Sequence, residues 1–131
     1  MKKLLILTSA LLLTGSVFAD NDPLWMRYPA ISPDGGTIAF TYKGDIYTVP
    51  ATGGKATQLT THQAHDTRPV WSPDGKRIAF ASDRNGNFDV FIMNKEGGAP
   101  TQLTTHSASE YPQTFSDNDH VLYTCLLYTS D

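Results

Sequence analysis

The sequence SPDGGTIAF at residues 32–40 returns as SPDGKRIAF at residues 72–80. In each copy, proline presets the second position of a tight turn, aspartate supports the next position, and glycine takes the left-handed exit. The Ile-Ala-Phe that follows is typical of a strand bounded by turn residues. The two stretches therefore predict a unit of two strands joined by a turn, which the chain builds twice.

Other features recur in the same order around these turns. Asp45 matches Asp89, Gly53-Gly54 matches Gly97-Gly98, and TQLTTH at 57–62 matches the same letters at 101–106. The step between copies is 40 residues at the front and 44 at the back, because the loop between Phe80 and Asp89 is longer than the loop after Phe40. A third copy begins at Phe115, where the proline is missing and the turn is one residue shorter.

Each unit is predicted to contain four short strands. We place the second strands at 37–42 and 77–81, the third strands at 46–49 and 90–93, and the fourth strands at 56–60 and 100–104. The glycine pairs lie where hairpins need positive φ, and Leu59 and Leu103 are predicted to point inward. Four-stranded units of about 40 to 45 residues have the size of propeller blades, each buried on both faces. The predicted fold is all-β, a partial β-propeller of two four-stranded blades and the start of a third, preceded by a signal peptide.

The predicted segments follow one another along the chain. They are a signal peptide at 1–19, a leader at 20–26, blade 1 at 27–66, blade 2 at 67–110, the start of blade 3 at 111–124 and a tail at 125–131.

The first segment has the composition of an export signal. Lys2-Lys3 precede an apolar run, and small residues precede a cleavage point after Ala19. The apolar run is shorter than the roughly 20 residues that a membrane span needs, so we expect no stable membrane anchor and a periplasmic or secreted product. Cleavage leaves 8 basic against 13 acidic residues, a formal charge of −5, with the basic residues scattered singly. This charge excludes nucleic acid as an expected partner.

The tail, Cys125 to Asp131, back-translates into codons that resemble a transposon-end adaptor used for sequencing libraries. We interpret it as an adaptor sequence that interrupts a longer reading frame. The alternative is a natural strand, since Leu-Leu-Tyr-Thr suits one. On the adaptor interpretation Cys125, the single cysteine of the sequence, supports no inference about disulfides or thiol chemistry.

The repeats resemble a known class. SPDGxxIAF, then Gly-Asp-Ile-Tyr at 44–47, then Gly-Gly-x-x-x-Gln-Leu-Thr are similar to the WD-like (TolB-type) propeller repeats of TolB, prolyl-oligopeptidase-class proteins and tricorn proteases. The resemblance covers residues 27–124. The opening stretch, LWMRYPAISPDG at 24–35, resembles the first blade of secreted tricorn-type proteins, and the repeats begin close to the signal, whereas TolB proteins place another domain first.

The resemblance implies an exported serine peptidase whose propeller gates or binds peptide substrates. On this hypothesis the chain is a non-catalytic N-terminal propeller fragment. Its partner is a peptide or protein that the complete propeller binds. The hypothesis allows the full-length protein to be a homo-oligomer. Two alternatives stand beside it. One is a non-enzymatic TolB-like periplasmic propeller that binds a protein or cell-wall partner. The other is the propeller of another hydrolase, of the prolyl-oligopeptidase class or an amidohydrolase.

We expect no catalytic residue, no cofactor and no metal in this chain. The sequence has no Gly-x-Ser-x-Gly elbow, and its repeated serines are turn residues. His62, His65 and Asp66 are three candidate metal ligands close in sequence, and His106 repeats His62, but Ser109 replaces His65 in the second copy.

A second candidate is a calcium loop. Its odd-position oxygens would come from Asp83, Asn85, Asn87 and Asp89. The loop lacks the glycine and the glutamate that an EF-hand requires, so we predict a long hairpin loop whose Asp and Asn side chains satisfy its own backbone groups. Trp25, Trp71 and the tyrosines are predicted to be core residues rather than a stacking platform.

Overall fold

The structure is a computed structural model in which residues 25–127 are described. The predicted signal peptide, its cleavage point after Ala19, residues 20–24 of the leader and residues 128–131 of the tail lie outside these residues. Within residues 25–127 there is no helix, and hence none long and apolar enough to cross a membrane.

The described residues form ten antiparallel strands in three sheets. The first sheet contains β1 (Arg27–Ile31), β2 (Thr37–Tyr42), β3 (Asp45–Pro50) and β4 (Thr57–Gln58), in that order. The second contains β5 (Asp66–Trp71), β6 (Arg77–Ser82), β7 (Asp89–Asn94) and β8 (Gly97–Gln102), also in chain order. The third pairs β9 (Glu110–Phe115) with β10 (Val121–Cys125). Two four-stranded blades and the first two strands of a third confirm the predicted partial propeller. The residue limits given to the segments stay predictions.

The repeated turn owes its shape to its serine and aspartate. Ser32 Oγ donates to Asp34 Oδ1 at 2.5 Å and accepts from the Thr37 amide at 3.0 Å. Gly35 closes the turn at φ +72°, a conformation that suits glycine because it has no Cβ. Ser72, Asp74 and Gly75 repeat this arrangement in the second blade. In the third unit Asp117 Oδ1 accepts from the amides of Asp119 and His120, both at 2.9 Å, so one side chain shapes the shorter turn that lacks proline.

The hydrophobic core lies between the first two sheets. Its buried members are Ala39, Ile46 and Leu59 of the first blade and Ile78, Phe80, Phe91 and Met93 of the second, with Trp71 packed against them. On the opposite face of the second blade Ala79, Ala81 and Val90 are also buried. Both faces of this blade are therefore covered, which explains why its strands do not alternate cleanly between apolar and polar residues.

The fourth strands differ from the prediction. β4 is only Thr57–Gln58, because beyond it the Ile46 amide donates to the Thr60 side chain at 2.9 Å instead of to a backbone carbonyl. β8 starts earlier than predicted, at Gly97, which pairs with Asn94 across a turn of two residues. The predicted strand ends were therefore wrong at both copies, while the positive φ of the glycine pairs is confirmed.

Leu59 and Leu103 occupy equivalent positions but have different surroundings. Leu59 is 9% exposed, whereas Leu103 is 46% exposed, so the prediction that both point inward was wrong for Leu103. Leu59 packs against strands of the following blade. The blade that follows Leu103 is the third unit. Residues 25–127 include only its first two strands, β9 and β10.

The first strands of the three sheets contact one another in succession, β1 with β5 and β5 with β9. Trp71 Nε1 donates to the Ala30 carbonyl at 2.9 Å, which links β5 to β1. Because successive blades converge at these strands, they form the inner rim of the partial ring.

Candidate binding cleft on the inner rim

A cleft of about 410 Å³ opens at the inner rim. It is lined from β1 by Arg27 and Tyr28, from the β2–β3 turn by Lys43 and Gly44, from β5 by Thr67 and Arg68, and otherwise by Trp25, Thr41, His65, Phe88 and Tyr111. The volume lies within the range of about 300 to 1,000 Å³ usual for ligand sites. All three blade units contribute to the lining, so the cleft depends on how the sheets are assembled.

Four lining residues have backbone at positive φ, and they are Trp25, Tyr28, Lys43 and Arg68. Tyr28 and Arg68 have φ of +52° and +55°, and each immediately precedes a proline. The strand pairing shifts at the same points, between Arg27 and Ala30 and between Thr67 and Val70. These β-bulges redirect side chains at a cost of about 1 to 3 kcal/mol for each strained residue. Strain repeated at equivalent positions beside a cleft indicates a functional arrangement.

The guanidinium of Arg68 lies between two tyrosine rings. Its Cζ is 5.0 Å from the ring centre of Tyr28 and 4.4 Å from that of Tyr111. The Arg27 Cζ lies over a single ring, 5.7 Å from the ring centre of Trp25. The rings hold these cations by cation–π attraction without neutralising their charge.

The lining is cationic. Arg27, Lys43 and Arg68 belong to it, and no aspartate or glutamate of residues 25–127 does. Among these described residues, none of the three cations has a carboxylate oxygen within 4.0 Å. The whole sequence carries a formal charge of −3, so the cleft is a local exception to an acidic chain.

The candidate histidine ligands are separated by the fold. His62 Nδ1 accepts from the Ala64 amide at 3.0 Å, and His106 Nδ1 accepts from the Ala108 amide at 3.0 Å, so the repeated histidine shapes a loop in each unit. His65 lies in the cleft, edge-on to Phe88. Asp66 is fully buried and paired with Arg84. The three residues that are close in sequence therefore have three different roles.

The rest of the repeated TQLTTH segment is also structural. Gln58 Nε2 donates to Asp45 Oδ2 at 3.1 Å and to the Thr60 carbonyl at 2.9 Å. Gln102 Nε2 donates to Asp89 Oδ2 at 2.9 Å and to the Thr104 carbonyl at 2.8 Å. The repeated glutamine thus ties the carboxylate at the start of the third strand to the chain beyond the fourth.

Side chains of the candidate calcium loop are hydrogen-bonded to separate parts of the chain. Asp83 Oδ1 accepts from the His65 amide, Asn85 Nδ2 donates to Gln102 Oε1, and Asn87 Nδ2 donates to the carbonyls of His106 and Ala108. These contacts reach His65, the end of β8 and the segment from His106 to Ala108, whereas the sequence predicted bonds to the loop's own backbone. The loop fastens one blade connection to the next.

Two carboxylates lie near each other at each junction between blades, the half-buried Asp45 with the buried Asp66, and the buried Asp89 with the buried Glu110. Burial, followed by the neighbouring Asp66, raises the pKa of Asp45, although hydrogen bonds from Thr60 and Gln58 oppose the shift. Burial and then Glu110 raise the pKa of Asp89. At the first junction both oxygens of Asp45 accept hydrogen bonds and Arg84 pairs with Asp66. At the second, Asp89 Oδ1 and Glu110 Oε2 are buried without a partner among residues 25–127.

One group of possible metal ligands lies beside the second junction. Atoms of His106, Glu110 and Cys125 are all within 4.8 Å of one another. Strand pairing places Cys125 opposite Glu110 as Ser82 is placed opposite Asp66, where Arg84 supplies the positive charge. Glu110 and Cys125 of this group thus occupy the positions that Asp66 and Ser82 hold beside Arg84 in the preceding unit. The expectation of no metal and no catalytic residue stays a prediction.

Sequence reasoning missed the cleft. It assigned Trp25 and the tyrosines to the core, yet Trp25 is 75% exposed and Tyr28 is 44% exposed. A signal was present in the pairs Tyr28-Pro29 and Arg68-Pro69, each of which begins four residues before the serine of the repeated turn, while Tyr111-Pro112 begins five residues before Ser116. A residue held before proline is restricted in conformation, so a repeated pair of this kind points to a special backbone geometry.

Comparison with known proteins agrees with the arrangement of the sheets. Residues 23–127 match the family described as the tricorn protease N-terminal β-propeller domain. The chain belongs to this family. The tricorn propeller family thus accounts for all three blade units of the described structure.

Curated relatives include both tricorn and TolB proteins. Tricorn protease homolog 1 of Streptomyces coelicolor is 34% identical over 70 residues, which are 53% of this chain and 6% of the relative. The protein TolB homolog of Chlorobium luteolum is 36% identical over 73 residues, 56% of this chain and 16% of the relative. The aligned part of this tricorn-family chain therefore spans less than one fifth of either relative.

Solved structures similar to this chain also include both a TolB and a tricorn propeller. A structure assigned as TolB from Agrobacterium tumefaciens superposes with a TM-score of 0.67 and 25% identity, covering 72% of this chain and 36% of that one. The crystal structure of the tricorn protease superposes with a TM-score of 0.55 and 19% identity, covering 71% of this chain and 10% of that one, which concerns the fold alone.

Proposed function

We propose that this chain is the peptide-binding propeller part of an exported tricorn-like serine peptidase, non-catalytic by itself, and that the inner-rim cleft contacts the substrate. The family match supports the tricorn assignment. The observation that carries the binding role is the cleft, in which strained bulges hold Tyr28 and Arg68 at the surface of the rim. Side chains held at such a cost, in a cleft of ligand size, are suited to contact another molecule.

A second candidate is a TolB-like propeller that binds a protein partner without any peptidase. The likeness to the Agrobacterium structure assigned as TolB favours it. Both candidates place the chain outside the cytoplasm, in the periplasm or the medium, and both give it a peptide or protein partner rather than nucleic acid. They differ in whether the bound polypeptide is later cut by another part of the protein.

The shared binding role can be tested with the full chain and fluorescein-labelled casein peptides. We expect saturable binding, measured by fluorescence anisotropy, that Tyr28→Ala and Tyr111→Ala weaken at least about tenfold. Tyr123→Ala is the matched control, because Tyr123 is similarly exposed, at 47%, but lies outside the cleft. Circular dichroism would verify that each variant keeps its strand content. Equal binding by the parent and both cleft variants would refute the role of the cleft.

A further inference from the structure

We infer that the inner-rim cleft selects acidic peptide segments, which it binds through aspartate or glutamate carboxylates. This rests on the proposed function and adds the chemical class of the ligand. The decisive observation is the imbalance of charge in the lining, which has three permanent cations and no carboxylate among residues 25–127.

Within residues 25–127 no carboxylate occupies the cations of the cleft. Arg77, Arg84 and Lys95 each have a carboxylate oxygen within 4.0 Å, whereas Arg27, Lys43 and Arg68 have none among residues 25–127. Arg27 and Lys43 are exposed, and Arg68 is half-buried between its two rings. A guanidinium stacked on aromatic faces keeps its N–H edge free, and that edge is the part that binds a carboxylate with two parallel hydrogen bonds.

The aromatic residues favour a peptide over a small free anion. Trp25 and Tyr28 expose much of their surface beside Arg27, so apolar area lies next to positive charge. A free inorganic anion would leave that area unused. A peptide can place a carboxylate on the cations and its neighbouring residues on the rings, as aromatic and arginine residues do in other binding surfaces.

The limited extent of the positive charge argues against a nucleic acid. The cleft is about 410 Å³, and the sequence as a whole is acidic. A long polyanion that filled the cleft would carry its remaining charges onto an acidic surface, which repels them. A short acidic stretch within a peptide contacts only the cations of the cleft and does not extend onto the acidic surface.

A matched pair of peptides tests the inference. One is a short fluorescein-labelled peptide with several Asp residues, and the other has Asn at each of those positions, so the two differ in charge but hardly in shape. Using the full chain at low salt, we expect the Asp peptide to bind at least about tenfold more tightly, and we expect the difference to shrink as ionic strength rises.

Charge variants locate the effect. Arg27→Gln combined with Lys43→Gln should reduce binding of the Asp peptide to the level of the Asn peptide. Lys55→Gln combined with Lys76→Gln removes the same charge outside the cleft and should leave the preference in place. Arg27→Lys combined with Lys43→Arg keeps the charge and should also retain the preference, which guards against a variant that merely misfolds.

The outcomes separate the two proposals. Equal binding of both peptides would overturn the acidic preference and leave peptide binding standing, whereas no binding of either would overturn both. An equal loss in the Lys55 and Lys76 variant would trace the preference to overall charge and overturn the site. Displacement of the Asp peptide by an equal concentration of single-stranded oligothymidylate would overturn the assignment to peptide.

Discussion

Arg84 Nη2 lies 3.2 Å from each carboxylate oxygen of Asp66, and the side chain of Asp66 is completely buried. The same guanidinium donates through Nε to Ser82 Oγ and packs 4.6 Å from the centre of the Phe91 ring. In the next unit Glu110 takes the place of Asp66. The position of Arg84, two residues after Ser82, is taken by Leu127, two residues after Cys125 and within the tail that we interpret as adaptor sequence. The two junctions therefore differ by one cation.

Removing this cation from the first junction should be costly. We expect Arg84→Leu to lower the free energy of unfolding by about 3 kcal/mol, because Asp66 would keep a buried charge without its partner. Arg77→Leu is the control, since the Arg77–Asp119 pair is largely exposed and should contribute less than about 1 kcal/mol. Urea titration of the full chain measures both. Equal losses would contradict the distinction between buried and exposed pairs.

Supplying a cation to the second junction should have the opposite effect. Glu110 Oε2 is buried without a partner among residues 25–127. We expect Leu127→Arg to stabilise the chain by about 1 to 2 kcal/mol, because a guanidinium at the position equivalent to Arg84 would pair with Glu110 as Arg84 pairs with Asp66. Leu127→Gln has a similar length and no charge, and it should gain much less. Thermal denaturation of the three proteins under one condition gives the comparison. A midpoint for Leu127→Arg at or below the parent value would show that the repeat relationship does not extend to this residue.

Asp89 provides a test that depends on pH. Burial, followed by the nearby Glu110, raises its pKa above the ordinary 3.8. The carboxyl of Asp89 therefore loses its proton more readily in the unfolded chain than in the folded chain. As pH rises above 3.8, this difference lowers the free energy of unfolding. We expect Asp89→Asn to melt at a higher temperature than the parent at neutral pH, with the gain disappearing towards pH of about 3.

The equivalent change in the first blade is the control. Burial also raises the pKa of Asp45, so the same linkage favours a neutral side chain at this position. Both oxygens of Asp45, however, accept hydrogen bonds, from Thr60 and Gln58, and Asp45→Asn replaces one acceptor with a donor, so we expect it to raise the melting temperature less than Asp89→Asn at neutral pH. A gain of the same size in both variants would show that the unpartnered oxygen of Asp89 is not the cause.

The two repeated leucines should respond differently to truncation. We expect Leu59→Ala to cost about 2 to 4 kcal/mol, because it leaves a cavity between the first two blades. Leu103→Ala should cost less than about 1 kcal/mol, since its side chain is 46% exposed. The midpoints of urea denaturation distinguish the two. A large loss from Leu103→Ala would mean that this side chain is covered in solution.

Export is a prediction from the sequence alone. We expect material recovered outside the cytoplasm to begin at Asp20, because the basic start, the apolar run and the small residues before Ala19 are typical of a cleaved signal. N-terminal sequencing of the exported protein provides the check. An intact Met1 on that material would show that cleavage does not occur.

The fold could be predicted from the sequence because its turns are chemically specific. Ser32, Asp34 and Gly35 specify one turn geometry, and their return at 72, 74 and 75 revealed the repeat. Strand ends were harder to predict. A side chain, Thr60, replaces a backbone acceptor there, and hydrophobic pattern carries no information about that exchange.

The cleft could not be predicted in the same way. Arg27, Lys43 and Arg68 are scattered singly along the chain, and only the contacts between β1, β5 and β9 bring their surroundings together. Leu103 shows the same limit. Its residue type and its position in the repeat match those of Leu59, but its burial depends on what the next unit places over it.

The indole of Trp71 bridges two blades, and that of Trp25 lies in the open cleft. These are the two tryptophans of the sequence, so the intrinsic fluorescence of the protein has two separate origins. Trp25, 75% exposed, should emit at the longer wavelength and be quenched by iodide, while Trp71 should be shielded. In a Trp25→Phe variant the remaining emitter reports, without any attached dye, whether the first two blades are docked.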